Sequence, residues 1–272
     1  MEDLRLRGYV TPEDMTGTDS ERIRGALDLC AELDIGKVVL SGTYQIEGTF
    51  ALSGMTEIVF RDAVIRSAGK RAVFTNKDAL SETPSWSTAD KYIYIKAEGA
   101  SEIDADFVFA NATDIVCEDL PVNGSLYFEF CREVRLERDH VRTENGPALT
   151  LARGCNNFIM QYNEFSGSPE AAAFDSSKAA FPYSVGNDAE IHECIFKDTR
   201  LSGPLGLQAT AECGLFNLQI DHLTAPETVI RLGDGTDIDE ARYFNLTAVE
   251  LTSASGREPI ELNAKTKHCC FA

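Results

Sequence analysis

The stretch Phe158-Ile-Met160-Gln-Tyr-Asn-Glu-Phe165 has a spacing of apolar residues that returns through the second half of the chain. Its last residue has counterparts 24 to 31 residues apart, between Val141 and Leu251, and each copy is followed by a loop and a shorter apolar run. The other copies are 134–141, 189–196, 216–223 and 244–251, and the shorter runs are 147–151, 171–174, 204–207, 229–232 and 259–262. Similar units at such a period predict a solenoid, in which each unit buries its apolar face against its neighbours.

Within each unit the apolar residues alternate with polar ones, as in Leu149-Thr-Leu151, which is typical of strands with one buried face. Strands that stack about 4.8 Å apart in successive coils form a parallel β-helix, so the sequence predicts an all-β fold of this kind. A β-sandwich of short strands is the alternative, but it gives no reason for the units to resemble one another. The length and composition fit a single domain over 1–272.

The N-terminal segment predicts an α-helix that caps the solenoid. Thr18-Asp-Ser-Glu21 has the form of a capping box, apolar residues then follow at helical spacing, and Gly36 marks the end. We expect this helix over 18–35, coils over 36–265, and an exposed loop over 75–90 that carries the single tryptophan, Trp86. The helix would shield the apolar core and the unpaired strand edges of the first coil from water.

The net charge of −19 predicts no binding to nucleic acid or to anionic membrane surfaces. Cysteines in the repeats occupy places suited to small apolar residues, and none has zinc-site spacing, so we expect buried free thiols and no metal or cofactor. The mixed, charged start of the sequence does not resemble a secretion signal. Together, the free thiols and this start predict a cytoplasmic protein.

The order of segments resembles the opening of the pectin-lyase-like superfamily, and within it the polygalacturonase-like glycosidases. The similarity is carried by the helix at 19–33, Gly42-Thr-Tyr44, Arg61-Asp-Ala-Val-Ile65 and Tyr94-Ile-Lys-Ala-Glu-Gly-Ala-Ser-Glu-Ile103, and continues through Asp114-Ile-Val-Cys-Glu-Asp-Leu120, Cys131-Arg-Glu-Val-Arg-Leu136 and later coils. The resemblance implies a right-handed single-stranded parallel β-helix with a groove along one face. It also implies a hydrolase that uses two separated carboxylates and inverts the configuration at the anomeric carbon.

The catalytic motifs of that family are Asn-Thr-Asp, Gly-Asp-Asp, Gly-His-Gly and Arg-Ile-Lys, and none is present at the matching places. The chain has Glu144-Asn145-Gly146-Pro147 at the first, Ser166-Gly-Ser-Pro-Glu170 at the second, Tyr183-Ser-Val-Gly-Asn-Asp188 at the third and Pro204-Leu-Gly-Leu-Gln208-Ala at the fourth. These departures predict a different chemistry or the loss of catalysis.

Outward residues of the shorter apolar runs and of the loops beside them are the remaining candidates, with Leu149, Leu151, Leu207, Leu232 and Leu262 pointing inward and Thr150 outward. A carboxylate near a cation would suit a lyase, or an inverting hydrolase with acids from different coils. Charges interspersed on a solvated strand face are the alternative. The catalytic candidates are Asp175, Asp188, Asp234, Lys178 and Arg231, and the substrate-binding candidates are Arg153, Asn187, Gln208, Glu170 and Trp86.

The Asp139-His140 and Asp221-His222 pairs look like acid–base pairs, but the repeat predicts a structural role. We expect Asp139, Asn163, Cys194 and Asp221 to form one column at a coil corner, where polar side chains bind backbone groups.

Two functions remain open. One is a carbohydrate-active enzyme, either a glycoside hydrolase or a polysaccharide lyase, acting on an acidic or plant-type oligosaccharide. The other is a non-catalytic β-helix that binds glycan or serves as a structural module. The C-terminal end shows no second capping helix, which predicts a homo-oligomer through that end.

Overall fold

The computed structural model describes residues 2–80, 89–176, 191–208, 215–232, 243–262 and 269–271. Helices are α1 (Glu2–Arg7) and α2 (Asp19–Leu33), with short 3-10 turns at Pro12–Asp14 and Lys77–Leu80. Strands β1 to β22 are, in order, Lys37–Ile46, Thr49–Leu52, Glu57–Ser67, Val73–Asn76, Asp90–Glu98, Glu102–Ile103, Asp106–Glu118, Pro121–Asn123, Leu126–Glu137, His140–Arg142, Leu149–Ala152, Asn156–Gln161, Glu164–Ser166, Ala172–Asp175, His192–Lys197, Thr199–Leu201, Leu205–Gln208, Leu215–Ala225, Ile230–Leu232, Tyr243–Ser253, Ile260–Leu262 and Cys269–Phe271.

The strand ladders are parallel and define three faces of a right-handed parallel β-helix, as the sequence predicts. Sheet A passes through the paired residues Ile58, Ile95, Cys117, Leu136, Met160 and Phe196. Sheet B passes through Ile65, Ile103, Val122, Val141, Phe165 and Leu201. Sheet C passes through Phe50, Phe74, Phe107, Leu126, Leu149, Ala172, Leu205, Ile230 and Ile260.

Apolar residues in equivalent positions stack along the axis and form one continuous core. The rings of Phe50 and Phe74 lie 5.2 Å apart, and those of Phe74 and Phe107 also lie 5.2 Å apart, both in stacked geometry. Such pairs add to the free energy gained by burying the rings. The predicted inward residues Leu149, Leu151, Leu207 and Leu232 are all buried, which confirms the period-2 interpretation.

Two columns of left-handed residues mark the corners before and after sheet A. Tyr92, Asp114, Glu133, Asn157 and Glu193 share one register with φ between 52° and 60°. Asp62, Asp119, Arg138, Tyr162 and Asp198 occupy the second corner with φ between 43° and 59°. A residue other than glycine adopts this conformation at a cost, so its return in five coils at each corner shows that the tight turn there requires it.

Helix α2 covers the first coil and confirms the predicted cap. The Thr18 hydroxyl accepts a hydrogen bond from the Glu21 amide, and the Glu21 carboxylate accepts one from the Thr18 amide at 2.8 Å. Ile23, Ala26 and Cys30 are buried in the core that the strands form. The helix ends at the left-handed Asp34 rather than at Gly36. Helix α1 was not foreseen from the sequence.

The predicted loop over 75–90 is shorter than expected. Thr75 and Asn76 belong to β4 and are buried, and β5 begins at Asp90. Trp86 and the remainder of that loop, 81–88, lie outside the described residues. The predicted C-terminal contact between copies also involves residues 263–268, which lie outside them, and it stays a prediction.

Polar side chains at the corner between sheets A and B bind backbone groups, as predicted for Asp139 and Asn163. Asn163 accepts a hydrogen bond from the Asp139 amide at 2.8 Å and donates one to the Leu136 carbonyl at 3.0 Å. The next member of the column is Thr199, which donates to the Met160 carbonyl. The prediction of Cys194 and Asp221 is wrong, because Cys194 pairs with Phe158 and Leu218 in the core of sheet A and Asp221 does not align with the column.

Of the two kinds of backbone hydrogen bond that the Asn163 side chain makes, the Asp139 side chain makes only the one in which it is the acceptor. Its Oδ1 accepts a hydrogen bond from the Leu120 amide at 2.9 Å, whereas its fully buried Oδ2 has no hydrogen-bond partner in the described part of the chain. Burial raises the pKa of this carboxyl to about 8. Asp139 is therefore largely protonated in the folded protein at neutral pH.

We expect the Asp139→Asn variant to be more stable than the parent protein above pH 4. The raised pKa means that folding takes up a proton between about pH 4 and pH 8, so the parent's free energy of unfolding falls as the pH rises through this window. Asparagine removes this cost. It also supplies a donor, which by analogy with the bond from Asn163 to the Leu136 carbonyl is expected to bind the Cys117 carbonyl one coil earlier. We expect the gain to grow through this window and to reach several kcal/mol at pH 8, measured by urea unfolding across this range.

The reverse exchange, Asn163→Asp, is the matched control. It places a second buried carboxyl in the same column, so its stability should fall progressively as the pH rises. Equal pH dependence in Asp139→Asn and in the parent protein would contradict this account.

Candidate functional site

The structure describes five of the ten candidate residues, and all five lie on or beside sheet C. Asp175 and Gln208 end β14 and β17, Arg231 lies in β19, and Arg153 and Glu170 lie in adjoining turns. The other five fall outside the described residues: Trp86, Lys178, Asn187, Asp188 and Asp234. Their roles stay predictions.

Parallel pairing brings three of these candidates together and separates a fourth. Asp175 is paired with Ala152 on one side and Gln208 on the other, and Arg153 directly follows Ala152. Arg231 lies in a different column, where its Nε lies 3.1 Å from the carboxylate of Glu261. The candidates therefore divide into a cluster around Asp175 and an ion pair nearer the C-terminal end.

A residue that the sequence analysis missed, Glu129, lies at the centre of the cluster. It is fully buried although it is on the outer side of β9, and it is level with Ala152 because Phe128 pairs with Leu151. The Tyr127 hydroxyl donates a hydrogen bond to its carboxylate at 2.7 Å, and Arg153 Nε lies 3.1 Å from its other oxygen. The signal was an acidic residue in the otherwise apolar run Leu126-Tyr-Phe-Glu-Phe-Cys131.

The local backbone explains how this carboxylate is buried outside the core. Strand β9 alternates Leu126 and Phe128 inward with Tyr127 and Glu129 outward until Phe130, whose φ is 50°. The bend there places the Phe130 ring under the Arg153 guanidinium, 5.3 Å away. The cation thus contacts an aromatic face and a carboxylate at once, an arrangement that fixes its position.

The centre of the sheet C face is covered rather than open. Thr150, predicted to face the groove, is only 4% exposed, and its neighbour in the next coil, Ala173, is 9% exposed. Gly206 follows in this column, and a Cβ there would lie 2.2 Å from the Glu170 carboxylate. Glu170 therefore lies directly over Gly206, and the half-buried Tyr127, Asp175 and Gln208 form the accessible rim.

Three further findings concern metal sites, membrane-spanning helices and cysteines. Among the described residues, no group of three or more His, Cys, Asp or Glu side chains is arranged to hold a metal ion. In the same part of the chain, no helix is long and apolar enough to cross a membrane. The thiols of Cys30, Cys117, Cys131, Cys155 and Cys194 are free and buried, as predicted.

Comparison with solved structures agrees with the fold. The chain is similar to the crystal structure of PfbA, a surface adhesin of Streptococcus pneumoniae, with a TM-score of 0.57 and 10% identity over 93% of this chain and 78% of that one. A second structure of PfbA, described as a surface protein and adhesin, gives a TM-score of 0.55 and 11% identity over 93% and 88%. No protein-family model and no curated protein matches the sequence.

The prediction of a cytoplasmic protein is wrong, because both similar structures are of a protein found at the cell surface. The physical reason is that a buried thiol is inert in any compartment, so the free cysteines did not report the location. The pectin-lyase-like resemblance is supported as a parallel β-helix, while the polygalacturonase-like affinity stays a prediction.

We expect Arg153→Met to destabilise the protein because it leaves the buried Glu129 carboxylate without its cation. Breaking a buried pair costs several kcal/mol, and the partial exposure of Arg153 reduces this to roughly 2 kcal/mol. The double variant Arg153→Met with Glu129→Gln should recover most of the loss, because it removes both charges. Urea unfolding of both variants measures the difference, and a double variant less stable than Arg153→Met would contradict the ion-pair account.

Proposed function

We propose that the protein is located at a cell surface and binds a glycan along sheet C, at the cluster of Tyr127, Glu129, Arg153, Asp175 and Gln208. The observation that carries this proposal is the placement of a buried, hydrogen-bonded carboxylate outside the apolar core, with polar side chains around it on successive coils. Burying a charge is costly, and its cost is offset here by a fixed cation and a phenol.

The rim of the cluster offers the groups that a sugar requires. Asp175 and Gln208 are neighbours in one column, about 4.8 Å apart, and can accept and donate hydrogen bonds to successive hydroxyls. Tyr127 adds an aromatic ring that is partly exposed. A chain of sugars parallel to the solenoid axis would meet one set of these groups in each coil.

Two considerations favour binding over hydrolysis. The four polygalacturonase motifs are absent from the sequence. The similar structures are of a protein described as an adhesin, and adhesion requires recognition of a surface ligand rather than turnover. Arg231 and Glu170 are proposed as contacts at the margin of sheet C. The candidates outside the described residues are proposed as further contacts: Asp188, Asp234, Lys178, Asn187 and Trp86.

Hydrolysis with inversion is the second candidate, and the spacing of Glu129 and Asp175 favours it. The two residues lie two coils apart with Ala152 between them, which places their α-carbons roughly 9.6 Å apart. Inverting glycosidases hold their two carboxyl groups about 6.5 to 9.5 Å apart, leaving room for a water, and two side chains on α-carbons at this distance reach that range by leaning toward each other.

We expect the parent protein to bind members of a glycan array, and the Asp175→Asn, Gln208→Ala double variant to lose binding by about a hundredfold. Loss of two hydrogen bonds to a ligand, one of them to a charged group, accounts for this magnitude. The matched control is Asp221→Asn with Gln161→Ala, which makes the same changes on residues of β18 and β12 away from sheet C.

Release of reducing ends and absorbance of unsaturated product are measured on every glycan that binds. Turnover that Glu129→Gln abolishes without loss of binding would establish the second candidate. Absence of both binding and turnover across the array, or an equal effect of the control variant, would contradict the proposal.

A further inference from the structure

A groove on the outer face of sheet B is separate from the cluster on sheet C. It has a volume of ≈ 620 Å³ and crosses five successive coils, from Arg66 in β3 to Ser166 in β13. Its floor is formed by the outward residues of β8 and β10, which include Pro121, Asn123, His140 and Arg142. No sequence signal singled out this face, because the apolar repeat predicts inward residues only.

Most charged groups of the groove neutralise one another along the axis. Glu164 Oε2 lies 3.1 Å from Nδ1 of His140, and its Oε1 lies 3.2 Å from Nη1 of Arg200. At the other end, Arg66 is paired with Glu102. These pairs join residues on neighbouring coils, so each of these side chains has a partner one coil away.

Arg142 differs from the other cations of the groove. It is exposed, and its guanidinium has no ion-pair or hydrogen-bond partner in the described part of the chain. Its direct neighbours in the column are neutral, with Asn123 on one side and Ser166 on the other. In a protein of net charge −19, this groove therefore presents an uncompensated cation at its centre.

We propose that the sheet B groove is a second ligand site, which binds the carboxylate of an acidic sugar through Arg142. A guanidinium presents paired donors that match a carboxylate, and it makes stronger hydrogen bonds to an anion than to a neutral group. The amide of Asn123 and the hydroxyl of Ser166, each about 4.8 Å away along the axis, match the hydroxyls of the same ring or of the next one.

A glycan fits this surface better than an acidic peptide. Peptides that add to sheets do so at a strand edge, where backbone groups are unpaired. In sheet B the backbone of β8 and β10 is already paired with the coils on both sides, so only side chains face the groove. Sugar hydroxyls bind side chains of this kind without requiring a free backbone partner.

The site is tested by isothermal titration calorimetry with a galacturonic acid hexamer, its methyl ester, sialyllactose, lactose and a glutamate hexapeptide. We expect at least one of the two acidic sugars to bind and the matching neutral sugar not to bind. Binding of the galacturonate hexamer or of sialyllactose distinguishes a uronate from a sialic acid as the source of the carboxylate. Arg142→Gln should weaken this binding about tenfold, because it removes one charge-assisted pair of hydrogen bonds. Arg142→Lys should retain part of the affinity, because it keeps the charge.

The matched control is Arg135→Gln, which removes an exposed arginine of sheet A and changes the net charge equally. It should leave binding unchanged. Binding that remains in the Asp175→Asn, Gln208→Ala background and is lost when Arg142→Gln is added belongs to sheet B, so failure of one site is distinguishable from failure of the other. Thermal unfolding confirms that each variant folds, since exposed substitutions have small effects on stability. Absence of binding by both acidic sugars, preferential binding of the peptide, or undiminished binding by Arg142→Gln would overturn the proposal.

Discussion

Parallel stacking of coils is the constraint on which the rest of the structure depends. A single coil has too little apolar surface to bury alone, so each of its inward residues packs against the equivalent residue one coil away. The stacked rings of Phe50, Phe74 and Phe107 show the result at one position of sheet C. The stacking also propagates the backbone conformation, because a left-handed corner residue returns in five coils on each side of sheet A.

The same constraint decides the electrostatics of the outer faces. Side chains in register lie about 4.8 Å apart, so like charges in one column repel and opposite charges attract. Lys37 with Glu57, Arg231 with Glu261, and Arg200 with Glu164 are all pairs of this kind. Each of these pairs connects neighbouring coils, whereas Arg142 in the sheet B groove lies between the neutral Asn123 and Ser166.

Sequence patterns predicted the features that depend on local chemistry. Alternation placed Leu149, Leu151, Leu207 and Leu232 inward, and the Thr18 capping box placed helix α2, since both follow from the residues themselves. The sequence patterns could not predict which outward residues become neighbours, because the segments between the repeated runs vary in length. The corner column shows this limit. The sequence predicts Asp139 and Asn163 correctly, but the interval before β15 is longer than in the other coils. The predicted register is therefore shifted there, and Thr199 occupies the position that was predicted for Cys194.

The geometry of the outer faces bears on whether such a fold binds or catalyses. Side chains on the flat face of a sheet project side by side, so they contact a ligand at many points but do not converge on a single atom. Catalysis requires that convergence, with acid, base and substrate within hydrogen-bond reach. On sheet B the side-chain contacts run along one column, from His140 to Glu164 to Arg200, and we propose only binding there. Sheet C differs, because the bend at Phe130 and the turn that carries Arg153 bring side chains over Glu129. If this protein has catalytic activity, the physical requirements place it on sheet C.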